Sequence, residues 1–134
     1  MPRVLLVEDN ELNRDMLSRR LARKGYEVVV AVDGEEGIEK ARSQHPDVVL
    51  LDMRLPRVSG WEAAKVLKTS DRTRDILIIA LTADAMDEDR EQALRAGCDA
   101  YDTKPVDFQK LVTRIESLLQ SRNHSSHLSA SSNP

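Results

Sequence analysis

The sequence has one cysteine, few aromatics, no surplus of positive charge and no long apolar run, and each shortage removes a class of function. A lone cysteine in 134 residues, Cys98, cannot close an internal disulfide, so a reducing, cytoplasmic setting is the expectation. Aromatics make up 3% of the chain (Tyr26, Trp61, Tyr101 and Phe108), too few for a base-stacking surface. Lys and Arg total 20 against 23 for Asp and Glu, giving a formal net charge of −3. Direct DNA binding, which relies on a basic surface, is therefore not expected. No run approaches the ~18 apolar residues of a membrane span. Met1-Pro2-Arg3 leads straight into a strand-like segment rather than a signal peptide. At this length one core buries roughly two-thirds of the unfolded chain's surface. That leaves no room within the chain for a receptor, a second enzyme domain or a separate output domain.

What is present is an alternation. Val4–Val7, Val28–Ala31, Val48–Leu51, Ile76–Ile79 and Ala100–Tyr101 read as strands. The first four are continuous apolar runs, the pattern of strands covered on both faces, which predicts a parallel sheet between helices. Helical patterns lie between them, over Asn10–Lys24, Glu35–Gln44, Trp61–Thr69, Glu88–Ala96 and Asp107–Gln120. Gly25, Pro46 and Gly97 supply stops, and Asp33-Gly34 reads as a turn. The fold class is α/β, a doubly wound parallel sheet. Residues 1–120 form the domain. Residues 121–134 carry six serines and one large aliphatic, Leu128, and are expected to be a disordered tail.

In such a sheet the C-terminal ends of all strands share one edge, where ligands bind. Glu8-Asp9 follow the first run, Asp52 the third, Thr82 the fourth, and Lys104-Pro105 the fifth. Two carboxylates about 5 Å apart repel by roughly 3 kcal/mol at an effective dielectric near 20. Three together call for a cation, and Lys104 balances only one of them. Hard oxygen ligands in a partly hydrated site suit Mg²⁺. An aspartate nucleophile, a metal, a lysine and a hydroxyl together suggest phosphoryl transfer through an aspartyl phosphate.

Leu6-Val7-Glu8-Asp9-Asn10, Leu50-Leu51-Asp52-Met53-Arg54-Leu55-Pro56 with Gly60, Ala80-Leu81-Thr82-Ala83, Gly97-Cys98-Asp99-Ala100-Tyr101 and Thr103-Lys104-Pro105 resemble the receiver domain of bacterial two-component response regulators. The resemblance spans about Pro2 to Gln120. It implies a flavodoxin-like (βα)5 sheet of order 2-1-3-4-5, with Asp52 as phosphoacceptor. Asp9 would bind Mg²⁺ directly, Glu8 through water, and Arg54 through its main-chain carbonyl. Lys104 would pair with a phosphoryl oxygen, aimed by a cis bond to Pro105. Thr82 would turn toward the phosphate and Tyr101 would follow it inward. The donor would be a histidine kinase or a histidine phosphotransfer protein, and the product a phosphorylation-dependent switch in a protein–protein surface, on a monomer or a phosphorylation-dependent dimer. Any catalysis would be limited to the chain's own phosphorylation and dephosphorylation.

Arg54 and Asp84 each lie two residues beyond a site residue and are expected at the pocket mouth, shielding the acyl phosphate from water. Leu12, Asn13 and Met16, with Val106 and Phe108, are candidates for a docking patch; ordinary core packing is the competing role. Glu8-Asp9 are alternatively an N-cap of the first helix, which Asn10 serves equally well. Cys98 reads as a small buried hydrophobe. His45, His124 and His127 have no metal-ligand spacing, and Trp61 reads as packing. Two alternatives stay open: a constitutive binding module of the same fold that is never phosphorylated, and a receiver fragment of a hybrid histidine kinase. An α/β phosphatase would place a second carboxylate where Arg54 stands.

Overall fold

The computed structural model describes residues 2–83 and 87–132, with side chains through 122 except for 84–90. Five strands, β1 (Arg3–Val7), β2 (Glu27–Ala31), β3 (Val48–Asp52), β4 (Leu77–Thr82) and β5 (Ala100–Thr103), alternate with five helices. These are α1 (Glu11–Arg23), α2 (Gly34–Gln44), α3 (Gly60–Thr69), α4 (Asp87–Arg95) and α5 (Phe108–Ser132). All pairings are parallel and the order is β2-β1-β3-β4-β5. The chain moves outward from β1 to β2 and then returns across β1 to β3, which opens a crevice between the ends of β1 and β3.

Strand alternation divides the core in two. Val4, Leu6, Val48, Leu50, Ile79 and Leu81 face α1 and α5, packing on Leu17, Leu21, Leu111 and Ile115. Leu5, Val7, Val49, Leu51, Ile78 and Ala80 face α2–α4 and meet Ala41, Ala63, Ala64, Leu67 and Ala93. β1 and β3 are covered on both faces, as their apolar runs predict, whereas β2 at the sheet edge is only half-buried over most of its length.

Helix caps set where the strand-end loops begin. Asn10 caps α1 by accepting from the Asn13 N–H at 2.9 Å, which frees Glu8 and Asp9 from that task. Asp33 caps α2, accepting from the Glu36 N–H at 2.8 Å, and its second oxygen accepts from Arg57 at 2.9 Å. Gly25 and Gly97 take φ of +98° and +94° after α1 and α4, a region that glycine enters without strain.

Three elements run well beyond the sequence patterns, the first being β4, which continues past Ile79 through Thr82. β5 continues through Asp102 and Thr103. α5 continues to Ser132, through the segment that composition marks as a disordered tail. Extending an existing helix adds a hydrogen bond per residue without a new nucleation cost, and neither Gly nor Pro interrupts before Pro134. Arg122 ties the first turn of this extension to the domain. Its guanidinium donates to the Asp47 carboxylate at 3.1 Å and to the Asp47 carbonyl at 3.3 Å.

Candidate functional site

The strand ends bring together residues distant in sequence. Glu8 follows β1, Asp52 closes β3, and Lys104 follows β5. The Lys104 ammonium donates to Glu8 Oε1 at 2.8 Å and to Asp52 Oδ2 at 2.9 Å. The Arg54 N–H donates to Asp52 Oδ1 at 3.0 Å, so both Asp52 oxygens have donors. Glu8 Oε2 accepts from the Asn10 N–H at 3.2 Å. Glu8 and Asp52 are 3% and 5% exposed, while Asp9 beside them is open to solvent.

Local sequence explains the placement. β1 and β3 are each anchored by the residue just past their own end: the Glu8 N–H donates to the Ala31 carbonyl at 3.0 Å and the Met53 N–H to the Leu81 carbonyl at 3.0 Å. Gly60 lets α3 begin directly against the site. A β-carbon there would fall against the Asp52 carbonyl oxygen and lie 2.5 Å from Met53 Cα. Thr82 is buried at the end of β4, pairs with Thr103, and accepts at its carbonyl from the Lys104 N–H at 2.7 Å. The Lys104–Pro105 peptide is cis.

One carboxylate oxygen each from Glu8, Asp9 and Asp52 lie within 4.8 Å of one another. Lys104 offsets one of the three charges. Burial pushes the Glu8 carboxyl above its ordinary value; the Lys104 and Asn10 hydrogen bonds oppose the rise, and the Asp52 charge adds to it. Burial alone would lower Lys104, but its hydrogen bonds to Glu8 and Asp52 hold the ammonium above its ordinary range. A buried acidic pair under one lysine, with a third carboxylate at the solvent edge, is an all-oxygen set that can hold a hard divalent ion.

Of the residues expected here, Glu8, Asp9, Asp52, Arg54 and Lys104 meet directly around the crevice. Tyr101 is one strand removed, opposite Ala80 on β5, half-buried against the α2–α4 side of the core. The Arg54 side chain is exposed, and Asp84 lies outside the described residues. Leu12 and Met16 are 81% and 56% exposed, so neither is core, and Val106 and Phe108 are half-buried beside them. Met16, Val106 and Phe108, with Asn13 and Arg20, line a groove of about 450 Å³ that reaches Glu8 and Lys104, whereas Leu12 borders a separate depression with Glu11, Arg14 and Asp15. The Arg20 guanidinium lies 5.2 Å from the centre of the Phe108 ring. Cys98 is buried, and the His45 ring contacts the Arg72 carbonyl at 3.2 Å.

Two contributors were not singled out by sequence. The Arg54 N–H acts as a donor to Asp52, a role that residue type does not encode. Arg14 reaches back to the main chain of Glu8 and Asp9; a cation in the first turn of a helix is its sequence signature.

Comparison with known proteins agrees with this geometry. Residues 4–116 match the model of the response regulator receiver domain. The polar-differentiation response regulator DivK of Brucella ovis is 41% identical over 116 residues, covering 87% of this chain and 94% of that protein. DivK of Brucella anthropi is 42% identical over 120 residues, covering 89% and 98%. The chemotaxis protein CheY4 of Vibrio cholerae superposes with a TM-score of 0.83 at 29% identity, over 87% of this chain and 98% of that one. The receiver domain of the sensor histidine kinase PA1611 of Pseudomonas aeruginosa, with a magnesium ion coordinated in its active site cleft, superposes at 0.78 with 38% identity, over 85% and 93%. Among the described residues no helix is long and apolar enough to cross a membrane.

Proposed function

The chain belongs to the response regulator receiver domain family, and from that premise we propose that Asp52 is its phosphoacceptor. The observation that carries the reading is the Asp52 carboxylate itself, buried, held at one oxygen by Lys104 and at the other by the Arg54 N–H, with Glu8 and Asp9 alongside.

A phosphohistidine of a histidine kinase or histidine phosphotransfer protein donates. An Asp52 oxygen attacks phosphorus, a P–O bond forms, and the P–N bond breaks with its electron pair returning to the imidazole. Asp9 and Asp52 by their carboxylates, Arg54 by its main-chain carbonyl and Glu8 through water would hold Mg²⁺, which would supply charge neutralisation to the oxygens of the transferring group. Lys104 leaves Asp52 for a phosphoryl oxygen. The Thr82 hydroxyl hydrogen-bonds another, and Tyr101 follows Thr82 inward. Water returns the chain to its starting state by hydrolysing the acyl phosphate, so the chemistry is self-limited phosphorylation and dephosphorylation. The added charge of about −1.5 to −2 biases a two-state surface around α4, β5 and α5.

The donor docks on the α1 patch, where exposed Met16 borders the groove leading to Lys104 and Leu12 is exposed on the same helix. A cytoplasmic setting follows from the histidine-phosphate donor, and the output is a contact with another protein. The domain spans residues 1–120, and Arg122 just beyond it ties α5 to Asp47. A second reading, a receiver segment of a hybrid histidine kinase, draws support from the 38% identity to the PA1611 receiver.

Borohydride reduction of the phosphorylated protein followed by peptide mapping tests the acceptor. The account expects the reduced side chain at residue 52; reduction at another carboxylate would rule Asp52 out.

A further inference from the structure

Arg14 occupies the first turn of α1, the end of a helix where the backbone dipole disfavours a cation. Its guanidinium turns back along the chain. Nη1 donates to the main-chain carbonyl of Glu8 at 3.0 Å and makes a longer contact, 3.4 Å, to that of Asp9. Arg14 is half-buried while Glu11, Leu12, Asn13, Asp15 and Met16 around it are exposed, so the side chain lies against the domain rather than in solvent.

The two carbonyls belong to the residues whose carboxylates form the acidic turn. Other ties hold this turn only in part. The Glu8 N–H is fixed to Ala31 and the Asn10 N–H to Glu8 Oε2. The Asn10 side chain is committed to the helix cap. The orientation of successive peptide planes sets the directions in which successive side chains leave the backbone. One donor shared by two consecutive carbonyls therefore fixes the angle between the Glu8 and Asp9 side chains. Glu8 is sent into the crevice against Lys104 and Asp9 to its solvent edge, with their oxygens within 4.8 Å.

We propose that Arg14 is a positioning residue that holds the Glu8–Asp9 turn in its cation-binding shape, an inference that rests on reading the acidic cluster as a divalent-ion site. Two effects of Arg14 on a bound cation oppose each other. Its charge repels the ion, and its hydrogen bonds preorganise the ligands. The guanidinium is aimed at carbonyl oxygens rather than at the carboxylates, so preorganisation outweighs repulsion. Outer-shell partners of this kind raise metal affinity by orienting the ligands.

The test is calorimetric titration of the full chain with Mg²⁺, alongside thermal melting. Arg14→Met is expected to bind about tenfold more weakly than wild type, at the low end for loss of an outer-shell partner. Arg14→Gln, whose shorter, uncharged amide does not reach both carbonyls, is expected to bind as weakly as Arg14→Met. Arg19→Met, which removes a cation one turn further along α1 where it pairs with Asp15, leaves the affinity unchanged. Unchanged or tighter binding by Arg14→Met, even with a lowered melting temperature, would overturn the proposal. Should that variant fail to fold, wild-type affinity in Arg14→Gln overturns it equally. A wild-type chain that takes up no Mg²⁺ overturns the ion-site reading and this proposal together.

Discussion

The Lys104 ammonium lies 2.8 Å from the Glu8 carboxylate, and the same nitrogen is 2.9 Å from Asp52. One cation thus spans β1, β3 and β5 at the mouth of the crevice and keeps two buried acids together. The arrangement places opposite demands on Lys104. Stability is served when it stays between the carboxylates, whereas the proposed phosphoryl transfer would draw it to an incoming oxygen.

Lys104→Met therefore leaves Glu8 and Asp52 facing each other without a cation. Removing one partner of a fully buried pair costs about 3–5 kcal/mol, and the partial exposure of Lys104 brings the expected loss to about 2 kcal/mol. Urea unfolding reads it. Added Mg²⁺ should recover more stability in the variant than in wild type, because the ion takes over the neutralising role. Equal stabilisation of both proteins by Mg²⁺ would speak against Lys104 and the ion serving the same carboxylates.

Gly60→Ala tests the close approach of α3 to the site. Its β-carbon meets the main chain of Asp52 and Met53 rather than a flexible side chain, so the backbone must shift. A loss of about 1–3 kcal/mol is expected, the range for overpacking, with slower phosphorylation by a small phosphodonor. A variant with wild-type stability would show that α3 retreats freely.

Alkaline pH should weaken the fold in a defined order. Burial pushes the Cys98 thiol from 9.0 up to about 12, and the partial burial of Tyr26 raises it from 10.0. Lys104, whose carboxylate partners outweigh its burial, is raised from 10.5. In each case the folded state holds the proton more tightly than the unfolded chain. The contribution is complete below the unfolded value and is lost as pH rises toward the folded one. Between pH 9.0 and 10.0 Cys98 acts alone among the three, at up to about 1.4 kcal/mol per pH unit. Cys98→Ala should flatten the stability profile there, and superimposable wild-type and variant slopes would contradict it. The native thiol should also resist thiol reagents at neutral pH and react once the chain is unfolded.

Arg54 presents its N–H to Asp52, and its side chain is exposed. Truncation in Arg54→Ala keeps the N–H and removes the expected cover, so the phosphorylated form should lose its phosphoryl group severalfold faster. A decay followed by intact mass that matches wild type would show that the side chain does not screen attacking water.

Much of this was legible because parallel strands buried on both faces write themselves as apolar runs. Val4–Val7 and Val48–Leu51 stop where polar chemistry begins, so Glu8-Asp9 and Asp52 stand out at the site edge. β5 was harder to read. It is an edge strand whose last residues, Asp102 and Thr103, are polar, and Asp102 is held by Arg114 at 3.0 Å rather than by apolar packing. The length of α5 was missed for a related reason. Serine-rich composition argues against an independent helix, but not against continuing one already nucleated on Leu111 and Ile115. The Arg14 and Arg54 contacts run through main-chain atoms, which residue identity does not reveal.

The central claim is that the buried carboxylate of Asp52 accepts phosphate with help from a divalent ion in the Glu8–Asp9–Asp52 cluster. Intact mass of wild type and Asp52→Asn after incubation with a small phosphodonor, with and without Mg²⁺, tests it most directly. The account expects one added phosphoryl group on wild type with Mg²⁺, little without it, and none on Asp52→Asn. A phosphoryl group on Asp52→Asn, or none on wild type with Mg²⁺ present, would contradict it and return the chain to the class of unphosphorylated binding modules.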